Sequence, residues 1–180
     1  MCMFRDLRAD EIEVRVAQAN EYGVSLLLYK DARCDQNILD ETVGAMNWQR
    51  CHTRDNANCI VSLWDEKKQQ WISKEDTGTE SNTEKEKGLA SDSFKRACFN
   101  WGIGRELYSA PNIKISPEHC SALKEHQGKW KCFDNFEVQK IIIEKKRIVA
   151  LAIKNSKTGR NCYIWQDPKW EAEQKEKKNV

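Results

Sequence analysis

The stretch Glu84–Leu107, EKEKGLASDSFKRACFNWGIGREL, constrains the fold more than any other. Ala90, Phe94, Ala97, Cys98 and Trp101 recur at helical spacing, so a helix here buries one apolar stripe. Gly102 and Gly104 follow the stripe and suit a helix C-terminus. Upstream, Thr83 and Glu86 have the spacing of a capping box. The opposite face carries Lys95, with Arg96 about 100° round and Phe99 one turn on. A paired cation beside an aromatic off the core stripe suits a surface that neutralises phosphate and stacks on a base. A solvated Lys–Arg face with a stray Phe is the plainer account of the same spacing.

Charge is distributed unevenly. Residues 1–90 carry 12 Lys/Arg against 17 Asp/Glu, and residues 91–180 carry 18 against 11. The basic second half is compatible with an anionic partner, with head-to-tail contact between subunits, or with surface variation alone. Of the 8 cysteines none forms a CxxC, and the 3 histidines form no HxxxH pair. Paired metal-ligand spacing is absent, so neither a metal site nor a cofactor is expected; a site assembled from distant residues stays open. No basic segment leads into an apolar run at the N-terminus, and no run approaches the ~20 residues of a membrane span. The expectation is an intracellular, cytoplasmic chain with free thiols and no membrane partner.

In chain order, residues 6–19 predict a short amphipathic helix facing inward through Leu7, Ile12, Val16 and Ala19. Val24–Lys30 predicts an apolar strand, and Asp31–Val43 a second helix ended by Gly44. Arg33 stands at that strand-to-helix junction, where an ordinary ion pair with Asp31 or Asp35 is the alternative to a binding role. Three antiparallel strands are expected between Asn47 and Asp76. Alternation places Trp48, Arg50, His52 and Arg54 on one face of the first of them. That face suits either contact with nucleic acid or an amphipathic sheet with snorkelling arginines. Pro117–Gln127 predicts a short helix, and four strands follow between Trp130 and Trp165. Residues 140–160 hold seven Lys/Arg and one acid, and the tail from Gln166 has little to bury. The fold class is therefore α+β: short helices packed on an antiparallel meander, with a second small C-terminal β-sheet.

No phosphate-binding glycine loop is present. Cys51 and His52 are neighbours on a strand and point to opposite faces, which makes a poor nucleophile–base pair. No catalytic residue is assigned, and no enzymatic activity is expected.

Three stretches together suggest a family. They are ARCDQNILDETVGAMNW around Arg33 and Gly44, the element Asp76-Thr77-Gly78 that ends the meander, and ASDSFKRACFNWG in the central helix. In this order and register the chain resembles the annealing domain of the Rad-fifty-two type of recombination protein, and most closely its phage branch, the Sak-like single-strand annealing proteins. The resemblance spans Tyr29 to Leu107. It implies a β-β-β-α annealing core, no catalysis, assembly into rings or filaments, and single-stranded DNA held in a basic rim groove. It also implies ATP-independent annealing of complementary strands in homologous recombination and repair, in a bacterium or phage-infected host. A single-strand-binding protein or an exonuclease is the accompanying partner to expect. By resemblance Lys95 and Arg96 match the paired phosphate contacts, and Arg33 matches a further groove residue. Phe99 stands where relatives often place another Arg, and Ala45 where some of them have an aromatic. The candidate DNA-binding set is Lys95, Arg96, Arg33, Phe99, Arg50 and Arg54. The expected organisation is an annealing core over 1–110, a small α+β extension over 111–165 and a polar, flexible tail over 166–180. A non-annealing adaptor of a replication or recombination complex, and a metal-dependent nuclease, are the alternatives.

Overall fold

A computed structural model describes residues 4–79 and 85–178. The chain is α+β with antiparallel sheets, and it divides into two compact units that cross its linear order. One unit joins the residues up to Asp6 to Asp31–Arg105; the other joins Leu7–Lys30 to the chain from Glu106 onward. The division therefore assigns residues 7–30 to the same unit as the C-terminal strands, rather than to an unbroken N-terminal core over 1–110.

In the first unit, helix α1 (Ala32–Val43) begins at Asp31, whose side chain accepts the Arg33 N–H at 2.8 Å as an N-cap. Strands β3 (Trp48–Thr53), β4 (Asn58–Asp65) and β5 (Gln70–Thr77) form the expected meander in the order β3-β4-β5. Helix α2 (Lys85–Trp101) packs on β4 and β5. Its stripe behaves as the periodicity predicts: Phe94, Ala97 and Cys98 are wholly buried, beside Val61 and Cys59 of β4. Ile38 and Leu39 of α1 are also fully buried. The predicted Thr83–Glu86 capping box lies outside the described residues.

In the second unit a six-stranded antiparallel sheet runs β11-β10-β9-β1-β2-β6. Its strands are β1 (Glu13–Asn20), β2 (Gly23–Tyr29), β6 (Ile113–Ile115), β9 (Phe136–Glu144), β10 (Arg147–Asn155) and β11 (Arg160–Gln166). Strands β7 (Leu123–His126) and β8 (Lys129–Cys132) form a separate hairpin, and Pro168–Lys178 is helix α3. Gly23 is required where β2 meets β6: an added Cβ would lie 1.9 Å from the Ile115 carbonyl oxygen, on a backbone at φ 121°. No described helix is long and apolar enough to cross a membrane.

Two expected helices are absent. Residues 6–19 give one 3-10 turn, Ala9–Glu11, and then β1. Val14 and Val16 alternate with exposed neighbours at period two, and pairing with β2 from Glu13↔Tyr29 to Asn20↔Gly23 outweighs a helical stripe that only Leu7, Ile12, Val16 and Ala19 supported. Residues 117–127 give a 3-10 turn, Pro117–His119, followed by β7. Gln127 and Gly128, at φ 52° and 72°, make a two-residue hairpin turn there, not a helix stop.

Candidate nucleic-acid interface

Helix α2 carries the candidate cations, and polar side chains clamp it to the end of β5. Asp92 accepts the Thr79 N–H at 2.9 Å and the Thr79 hydroxyl at 3.2 Å. Asn100 donates to the Glu75 carbonyl at 3.0 Å and to Asp76 Oδ2 at 3.3 Å. Between these two, Gly78 lies directly against the helix backbone: a Cβ there would sit 2.5 Å from Ser93 N and 2.9 Å from Leu89 O. The Asp76-Thr77-Gly78 element therefore has a packing duty, whatever else it does.

The clamp separates the two neighbouring cations of α2. Arg96 turns toward β5, with Nε 3.5 Å from Asp76 Oδ1 and its side chain 40% exposed. That contact is Coulombic and off the hydrogen-bonding direction, so the buried Nε–H has no acceptor among the described residues. The charge of Lys95 acts instead on the start of α1. The carboxyl of Asp31 is held below the usual carboxylate range, mainly by hydrogen bonds from Arg33 and further by the charge of Lys95. Arg33 reaches Asp31 Oδ2 through Nε at 2.9 Å and Nη2 at 2.5 Å while its side chain stays 84% exposed. Arg33 is thus bonded to Asp31, and the charge of Lys95 reaches the same carboxyl, beside the N-terminus of α1 where the helix dipole adds to the positive potential.

The remaining candidates are dispersed. The face of β3 bearing Trp48, Arg50 and His52 sets side chains against α2, with Arg50 itself still exposed. Trp48 stacks on Phe94 with centroids 6.2 Å apart, and Arg50 sits 4.8 Å over the same ring. Arg50 is thus the snorkelling arginine of an amphipathic sheet, its charge exposed at the rim of the core. Arg54 falls beyond the strand, exposed in the β3–β4 turn at φ 51°. Phe99 is half-buried, and its carbonyl accepts Arg105 Nε at 2.6 Å.

Two cations were missed from sequence. Lys74 donates to the Asn100 carbonyl at 2.7 Å and lies 4.4 Å over the Trp101 ring, and Arg105 Nη2 reaches the same carbonyl at 2.9 Å. They neutralise the carbonyl end of α2. The signal for Arg105 was a basic residue just past the Gly102-Ile103-Gly104 stop; nothing local marked Lys74.

The Ser–His contact in this unit has its serine buried. The Cys51 thiol donates to the His52 carbonyl, while His52 Nδ1 faces Ser93 Oγ at 3.4 Å. Ser93 is fully buried and bonds the Asn56 carbonyl at 3.0 Å, so this Ser–His contact is out of a substrate's reach. No family model matches this chain, and no curated protein and no solved structure matches it either.

Proposed function

We propose that this protein binds single-stranded DNA and promotes annealing of complementary strands without ATP. The observation that carries the reading is the largely exposed Arg33 held on Asp31, a carboxyl that the charge of Lys95 also reaches. A phosphate arriving there meets the exposed guanidinium of Arg33, with the charge of Lys95 acting on the same region. Arg96 extends the basic surface along α2, its contact to Asp76 holding it in place. The three-stretch resemblance to single-strand annealing proteins points the same way, and Arg33, Lys95 and Arg96 are the residues that it carries over.

Annealing needs compensation of two polyanions and exposed bases, and it requires no bond chemistry. A single subunit offers few cations, so assembly of copies that line the sites up in register is part of the proposal. The outer edges of β3 and β5 give that assembly a route by strand pairing. Binding of a labelled single-stranded oligonucleotide, followed by fluorescence anisotropy across a salt series, tests the reading. Affinity is expected to fall with salt at a log–log slope of roughly −0.7 per phosphate contact, alike for all base sequences. Arg33→Ala and Lys95→Ala are each expected to reduce the slope by about 0.7. Binding that ignores both substitutions would overturn the assignment.

A further inference from the structure

The second unit gathers three metal-ligating side chains that the DNA-binding reading does not use. Cys120 Sγ, Cys132 Sγ and a carboxylate oxygen of Asp134 all lie within 4.8 Å of one another. They come from the two ends of the β7–β8 hairpin: Cys120 precedes it, and Cys132 and Asp134 close it. The hairpin itself buries almost nothing. Of its eight strand residues none is fully buried, and it pairs with no other sheet. Beyond the packing of β8 against β1 it has little support, and a two-stranded hairpin of this kind gains from a fastening at its base.

The base is built like a coordination site. Asp134 is only 5% exposed, and its orientation is fixed by the Ser121 N–H at 2.7 Å, the Ala122 N–H at 3.0 Å and the Ser121 hydroxyl. Such outer hydrogen bonds are what holds a ligating carboxylate in aim. The thiols are weakly engaged: Cys132 donates to Asp134 Oδ2 at 3.4 Å and Cys120 to the Ser116 carbonyl at 3.7 Å. Tetrahedral zinc, with Zn–S about 2.3 Å and Zn–O about 2.1 Å, requires a sulfur–oxygen separation of about 3.6 Å. The Cys132–Asp134 separation is already close to that. Cys120 borders one recess, of about 250 Å³, and Cys132 and Asp134 border another, so the trio lies between two surface openings.

We propose that Cys120, Cys132 and Asp134 bind one zinc ion that staples the β7–β8 hairpin to the rest of its unit, with water in the fourth position. Two thiolates and one carboxylate balance the charge of a divalent cation with one negative charge over, and sulfur ligands favour zinc over calcium or magnesium. Each thiol gives up its proton to solvent as the ion binds. The sequence hid the site because its ligands are spaced as Cys-x11-Cys-x-Asp, without the CxxC that signals a zinc ribbon.

The test uses the full reduced chain and zinc alone. One equivalent of zinc is expected to bind, and alkylation mapped by mass spectrometry should then show Cys120 and Cys132 protected while the exposed Cys51 still reacts. Cobalt substituted for zinc should give thiolate charge-transfer absorption. Cys120→Ser and Cys132→Ser should each weaken binding at least tenfold, and Cys51→Ser should leave it unchanged. The protection map is read on the unaltered protein, so it decides even if a variant fails to fold. No zinc uptake, protection at other cysteines, or a Cys120–Cys132 disulfide in the reduced-purified protein would overturn the proposal.

Discussion

At the scale of residues, adjacent cations have different duties. The charge of Lys95 reaches Asp31, whereas Arg96 is paired with Asp76. Lys95→Ala is therefore expected to weaken DNA binding with stability unchanged within about 0.5 kcal/mol. Arg96→Ala is expected to weaken binding and also to cost about 0.5–1 kcal/mol of stability, because a partly exposed ion pair is lost. Denaturant titration beside anisotropy separates the two effects. His52 supplies a pH dependence: burial, and then the charge of Arg50, lowers its pKa. Below about pH 6.5 the unfolded chain takes up this proton more readily than the folded one, so stability falls as the pH drops through that value and is level in this respect above it. His52→Gln should flatten the slope in denaturant titrations run from pH 7.5 to 5.

At the scale of elements, α2 works as a beam whose buried stripe fixes where Lys95 and Arg96 point. Phe94 is the keystone, touched by Trp48 and capped by Arg50. Phe94→Ala is expected to cost about 3–5 kcal/mol, read as a lowered denaturation midpoint. Gly78→Ala should also destabilise, by about 1–3 kcal/mol, since its Cβ would collide with helix backbone that has no flexible end to move aside. The helix and the meander were legible in the sequence because their apolar periods run long and end at glycines or polar turns. Residues 6–19 were not, because Leu7 and Ile12 are buried at a turn before β1 starts and so lent a false helical period to a strand. For the site, Arg33 and Lys95 could be named from spacing and resemblance, but their common influence on Asp31 could not, since it depends on how α1 and α2 pack. Arg50 shows the reverse: the alternation placed it correctly with Trp48 and His52, yet only packing reveals that this face sets side chains against α2. The ligand trio of the second unit was invisible for the same reason, its members being joined by a hairpin whose first strand read as helix.

At the scale of the whole molecule, the chain builds two units by threading residues 7–30 into the sheet formed by its C-terminal strands. A chain truncated near residue 110 would leave β1 and β2 without β6 and β9, and is expected to aggregate or remain partly unfolded. Size-exclusion chromatography against the full chain checks this. The full chain is expected to assemble, because one subunit's cations are too few for a long strand; light scattering should give a mass several times 21.0 kDa. The most direct test of the central claim is the rate at which two complementary labelled oligonucleotides pair without ATP, with wild-type protein and with Arg33→Ala/Lys95→Ala. The account predicts fast, salt-sensitive pairing that the double variant loses while its circular dichroism is unchanged. Tight binding with pairing no faster than that of the free strands, or full activity in the double variant, would contradict it.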